Sequence, residues 1–303
     1  IFKSLPDIII ENNRESFSNH FEKFEKNFLL ICDNNYTFYL ESIIRSICLN
    51  GKKWGIILII LNFKNNVNKI HEIYSENLLI IEHNCHNIKF DYPSQQKPFI
   101  ANIRAPFLRS ISRNFLYRYL IYTDVDSILI KDPTKYLEKE LDISPQIAFR
   151  QIHSKAFNKH TGCLIFKSGV IIISNPLSKN KDNILTFNKF LNILNSYSDF
   201  VSEQWDTWFA DQWGLVNLSI SKEKLEYITI LDNSINDWSF NYNSYIWSAK
   251  GPIKEFYVWK FICYMMKNYK QSCSHINFRI LINLIYIIED FIRKLNQRIK
   301  FKN

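Results

Sequence analysis

The sequence predicts an α/β protein: a mostly parallel central sheet flanked by helices. Two observations carry this. Short apolar runs of strand length alternate along the chain with segments of helical periodicity, the pattern of strand–helix–strand units. The runs are also apolar at consecutive positions, as in strands buried on both faces. At 303 residues the chain is long enough to bury a large core.

The elements follow in order. Residues 27–32 form an apolar run that ends at Asp33 and Asn34, a strand feeding a loop. Residues 36–48 place Tyr36, Leu40, Ile43, Ile44 and Ile47 on one helical face, with Gly51 as the stop. Residues 55–63 read as a second strand, 67–74 as a short helix and 78–81 as a third strand. Residues 99–111 read as a helix that Pro106 kinks or begins. Residues 119–123 are a fourth strand. Beyond it come strands at 147–151 and 169–174, helices at 183–195 and 205–215, and a strand at 227–231. In a parallel sheet ligands bind at the carboxyl ends of the strands, which puts Asp33 to Asn35 and Asp124 to Asp126 on one edge.

Asp124-Val125-Asp126 is the strongest local signal. Two carboxylates one residue apart at a strand end suit one hard cation, magnesium or manganese, which takes oxygen ligands and keeps positions open for phosphates. A solvated turn is the competing reading. Six cysteines without a CxxC pair, several inside apolar runs, read as buried thiols. His83, Cys85 and His86 lack a second half at zinc-finger spacing.

The net charge is +9, and most of the excess lies in residues 256–303, where nine basic residues face only Glu289 and Asp290. The near-neutral remainder argues against a nucleic-acid-binding face. Residues 278–288 are mostly apolar and precede Arg293, Lys294, Arg298, Lys300 and Lys302. Such a tail either packs on its own domain or a second copy, or lies in a membrane interface. Residues 1–6 lack a signal-peptide layout, and the chain opens on Ile1, as expected of a piece of a longer protein. The expected setting is cytoplasmic, with peripheral membrane contact through the tail as an option.

Asp33-Asn34-Asn35-Tyr36 after the first strand, the aspartate pair after the fourth, and Gly251-Pro252-Ile253-Lys254 occur in an order that resembles glycosyltransferase family 8, the retaining GT-A group. The resemblance covers residues 28–254. It implies a GT-A domain over residues 27–255, with 1–26 as a lead-in and 256–303 as a basic helical extension. It implies a uridine-diphosphate sugar as donor, a glycan, lipid-linked or protein acceptor, and Mn2+ or Mg2+ on Asp124 and Asp126.

Carried over residue by residue, Asp33, Asn35 and Tyr36 would hold the nucleotide, although a turn with a helix cap uses the same residue types. Arg104 would contact the donor, with Arg109 as competitor. Asp124, Gly251 and Lys254 would also touch the donor, Lys254 at the diphosphate. Asp211 and Gln212 would lie beside the anomeric carbon; otherwise this helix carries Trp205, Trp208 and Trp213 into a core or an acceptor-facing wall.

Two departures stand out. Lys167-Ser168 replaces the family's Asn-Ala before Gly169, and Ser248 stands where the family has a metal-binding histidine. Weak metal affinity without nucleotide is therefore expected. Two other readings remain: a sugar-phosphate nucleotidyltransferase, disfavoured because no glycine-rich loop follows the first strand, and a non-catalytic nucleotide-sugar or glycan-binding module, favoured by Ser248.

Overall fold

A computed structural model describes residues 1–33, 37–51, 53–63, 76–142, 144–151, 166–175, 182–237, 241, 243–249, 257–268 and 287. The expected helix at 67–74 and the tail beyond Asn268, apart from Ile287, lie outside the described residues.

A seven-stranded sheet organises the molecule. Its strands are β1 (Lys26–Asp33), β2 (Gly55–Asn62), β3 (Leu78–Asn84), β4 (Tyr119–Thr123), β6 (Gln146–Gln151), β7 (Phe166–Ser174) and β8 (Ile228–Leu231). Their spatial order is β3-β2-β1-β4-β7-β6-β8. All run the same way except β7, which is antiparallel to both β4 and β6. The amino end of β7 therefore reaches the edge where the other strands end. A small antiparallel pair, β5 (Ser127–Leu129) and β9 (Ile246–Ser248), stands beside this edge. It was not legible as strands, because each spans three residues.

Both faces of the sheet are covered, which is why its strands read as unbroken apolar runs. Leu29 and Ile31 of β1 and Ile57, Ile59 and Leu61 of β2 face one core. The alternating residues Phe28, Leu30, Ile56, Leu58 and Ile60 face the other, as the period of two requires. Burying each such side chain contributes roughly 1.5–3 kcal/mol. The first core is covered by α1 (Leu5–Asn12), α2 (Arg14–Lys23), α4 (Gln96–Asn102), α5 (Arg104–Asn114), α7 (Asp182–Glu203) and α8 (Ala210–Ile220). The second packs on α3 (Thr37–Asn50) and α6 (Thr134–Leu141). A third, smaller cluster joins the β5–β9 pair to α9 (Tyr257–Asn268).

Several boundaries differ from the sequence reading. The single helix expected at 99–111 is two helices broken at Ile103. Pro106 lies in the first turn of α5, where its missing N–H is not needed. The helix expected from residue 205 starts at Ala210, because residues 204–209 turn before it. Residues 5–23 form two helices that add Leu5, Ile9, Ile10, Phe17 and Phe21 to the main core, and Asp7 pairs with Arg109 at 2.6 Å. Arg109, the competitor of Arg104, is thus held against the amino-terminal helix. The cysteines Cys32, Cys48, Cys85 and Cys263 carry thiols, not disulfides, and three of them are buried. No described helix is long and apolar enough to cross a membrane.

Beneath β1, the buried His20 ring donates from Nε2 to Asn27 Oδ1 at 2.9 Å, and Asn27 Nδ2 donates to the Phe24 carbonyl at 2.8 Å. Gly55 is required here, since a Cβ on it would strike Asn27 Oδ1 and His20 Nε2. Burial pulls the His20 pKa down to about 4. Below pH 6.5 the unfolded chain binds a proton that the folded chain refuses, so stability falls with pH and levels off below 4. We expect a slope of up to about 1.4 kcal/mol per pH unit from this residue between pH 6.5 and 4. Urea unfolding of wild type and His20→Gln across that range checks it; equal pH slopes in the two proteins would refute the assignment.

Candidate active site at the carboxyl edge of the sheet

The site is built around Arg104, the first residue of α5. Its guanidinium is nearly sealed from solvent, and its surroundings explain how a charge survives there. Nη1 donates to the Ser168 carbonyl at 2.6 Å and lies 3.2 Å from Asp124 Oδ1. Nε donates to the Ala101 carbonyl and lies 3.5 Å from Asp211 Oδ2. The guanidinium plane covers the Tyr122 ring at 4.6 Å from its centroid. Burial opposes the charge, but Tyr122, Asp211, Tyr197 and Asp126 outweigh it and raise the pKa above the ordinary arginine value.

Asp124 follows β4. Its N–H donates to the Gly169 carbonyl at 3.0 Å, and its Oδ1 accepts the Tyr122 hydroxyl at 2.8 Å. Asp126 is buried, and its carbonyl accepts the Ala249 N–H at 3.1 Å, which ties the aspartate pair to β9. Asp33 ends β1 on the same edge, where Gln96 Nε2 donates to its Oδ2 at 3.0 Å. Asp211 lies in the first turn of α8, buried against Arg104, and Gln212 is half-buried next to it. Its Oδ1 accepts the Gln212 N–H at 2.8 Å.

The edge thus brings together Arg104, Asp124 and Asp211, with Asp126 and Asp33 on the same side. Asn35, Tyr36, Gly251 and Lys254 lie outside the described residues. Of these three tryptophans, Trp205 and Trp213 are half-buried and pack against the main core, Trp205 stacked on Phe2 at 5.9 Å. Trp208 is 49% exposed and Phe209 50%, directly ahead of Asp211.

Three contributors escaped the sequence reading. Tyr122 carried a signal, since it lies two residues before Asp124 and so shares its strand face. Tyr197 of α7 is fully buried, its hydroxyl has no hydrogen-bond partner among the described residues, and burial with Asp211 raises its pKa. Its place was set only by the packing of α7 on α8. Asn102 is the third.

Lys167 is buried at the amino end of β7, paired in register with Arg150. Burial, then Arg150, pull its pKa down to about 7, against Asp237.

For a divalent cation the described donor set is oxygen only, Asp124 and Asp126, which fits magnesium or manganese. No described group of three or more His, Cys, Asp or Glu residues could hold a metal. Ser248 is fully buried in β9, and its Oγ is 2.9 Å from Ser127 Oγ. Its hydroxyl is engaged with a cross-strand partner.

The sheet order, the lone reversed strand and the aspartate pair at the strand ends define the GT-A fold. The chain is similar to the galactosyltransferase LgtC in complex with donor and acceptor sugar analogues, with a TM-score of 0.51 at 12% identity over 84% of this chain and 99% of that one. It is also similar to the apo form of the glycosyltransferase GlyE of Streptococcus pneumoniae TIGR4, with a TM-score of 0.50 at 16% identity over 88% of this chain and 64% of that one. At these identities the likeness is one of fold. No protein-family model and no curated protein sequence matches the chain.

Removing the Arg104 charge should expose its cost. Arg104→Met leaves the buried Asp211 and the half-buried Asp124 carboxylates without their shared cation, and we expect a stability loss of about 3–5 kcal/mol. Adding Asp211→Asn should recover part of it. Urea unfolding of the two single variants and the double variant measures this; additive losses would show that Arg104 and Asp211 do not interact.

Proposed function

We propose that this chain is a glycosyltransferase that moves a sugar from a nucleotide-diphosphate donor, a uridine-diphosphate sugar, onto a glycan, lipid-linked or protein acceptor. The observation that carries the reading is the buried Arg104 between Asp124 and Asp211, at the ligand-binding edge of a GT-A sheet. Asp33, with Asn35 and Tyr36, binds the nucleotide. Asp124 and Asp126 hold Mn2+ or Mg2+, which when bound neutralises the diphosphate leaving group. Arg104 orients the donor and fixes the two carboxylates on either side of it. Gly251 and Lys254 complete the diphosphate site, Lys254 as a point charge.

Asp211 and Gln212 face the anomeric carbon, where positive charge develops as the leaving group departs. Here a carboxylate stabilises an oxocarbenium-like centre, provided that it is rigid before the reaction begins. Trp208 and Phe209 offer an apolar wall for the acceptor, since aromatic faces suit the ring of a sugar.

Asp126→Ala should leave the protein folded and lower manganese-dependent sugar transfer or donor hydrolysis by about 100-fold or more. Thermal-shift screening of nucleotides and nucleotide-sugars, with and without manganese, selects the donor for the assay. Near-normal turnover in the variant would overturn the metal assignment.

Transfer with retention is expected at the anomeric carbon. Nuclear magnetic resonance of the product linkage decides this, and an inverted product would recast Asp211 as a general base.

One observation favours a second reading, a non-catalytic binding module of the same fold: Ser248 is engaged with Ser127 and adds no imidazole to the two carboxylates. A module would be stabilised by a nucleotide-sugar yet would not hydrolyse it with added manganese.

A further inference from the structure

Helix α8 begins without a cap of its own. Its N-cap residue is Phe209, which has no side-chain acceptor, and no side-chain capping bond is made there. The first amide N–H groups of a helix have no partner within the helix. The Asp211 N–H is nevertheless satisfied, because it donates to Asn102 Oδ1, on α4, at 3.2 Å.

Asn102 is fully buried at the end of α4. Its Nδ2 donates to the carbonyls of Trp205 and Thr207, each at 2.8 Å. An asparagine amide has two N–H donors and one carbonyl acceptor group, and here every part of it is used. With two carbonyls on one side and an N–H on the other, only one orientation of the amide satisfies all three.

Asn102 and Arg104 flank Ile103, the break between α4 and α5. One three-residue junction therefore grips Asp211 twice. Asn102 holds its backbone, and Arg104 faces its side chain. The same Asn102 holds the turn that presents Trp208 and Phe209.

We infer that Asn102 is a positioning residue: by capping α8 from a distance it sets where Asp211 and Gln212 stand relative to the donor's anomeric carbon. This rests on the glycosyltransferase reading above. The role is separable from nucleotide binding, which that reading assigns to Asp33 at the end of β1 and to the Asn35 and Tyr36 that follow it in sequence.

The test uses the full chain, a uridine-diphosphate sugar chosen by thermal shift, manganese, and water as the acceptor. Asn102→Ala removes all three bonds, and kcat for donor hydrolysis should fall by about 100-fold, the size of loss expected from misplacement of order 1 Å. The donor KM and the stabilisation by uridine diphosphate should remain those of wild type. Asn102→Asp keeps an acceptor for the Asp211 N–H and loses the donors to Trp205 and Thr207, so it should recover most of kcat.

Hydrolysis by Asn102→Ala within about threefold of wild type overturns the inference. Equal losses in both variants also overturn it, since the effect then belongs to the turn at 204–209. If neither variant folds, amide exchange in wild type decides: the Asp211 N–H should exchange slowly, and exchange at the rate of an exposed amide refutes the cap. If wild type neither binds nor hydrolyses any nucleotide-sugar, it is the proposed function that fails, and slow Asp211 exchange would still be seen.

Discussion

The arrangement of the site depends on one buried charge. A guanidinium removed from water loses several kcal/mol of hydration unless carboxylates and carbonyls replace it. Arg104 meets this cost with Asp124 on one side, Asp211 on the other, the Ser168 and Ala101 carbonyls, and the face of Tyr122. Each partner comes from a different element: the loop after β4, α8, β7, α4 and β4. The charge therefore fixes the positions of four segments relative to each other. Planar geometry matters, because a lysine could not serve directions so far apart.

The reversal of β7 makes this possible. A parallel β7 would start at the opposite edge, and Ser168 and Gly169 would be a strand length away from Arg104 and Asp124. Antiparallel pairing with β4 brings the Gly169 carbonyl to the Asp124 amide. Antiparallel pairing with β6 brings Lys167 and Arg150 into register beside the same edge. On the other flank, the β5–β9 pair joins Asp126 to Ala249 and shuts the Ser248 hydroxyl against Ser127. The aspartate pair thus stands between a charged flank and a closed one.

Rigidity follows from the packing behind the site. Gly214 of α8 lies so close to Tyr197 and Val201 of α7 that a Cβ on it would come within 2.8 Å of the Tyr197 ring. Close contact at that turn holds α8 against α7, while Asn102 and Arg104 hold its first turn from α4 and α5. Asp211 thus belongs to a helix that is fixed on both sides.

The sequence by itself determined the sheet strands and the two ends that carry Asp33 and the Asp124–Asp126 pair. Those signals are local: an unbroken apolar run shows a doubly covered strand, and a carboxylate just past it lies at the strand's end. Resemblance alone placed Asp211 and Gln212 near that edge, and the choice between Arg104 and Arg109 stayed open. Only the tertiary structure separates their surroundings, by pairing Arg109 with Asp7 and Arg104 with Asp124 and Asp211. It also decided the partners of Asn102 and Ser248, whose contacts join residues more than a hundred positions apart in the chain. Hydrophobic periodicity tells which face of an element is covered. It does not tell which polar group of a distant element will complete a hydrogen bond there, because that depends on how the covered faces pack together.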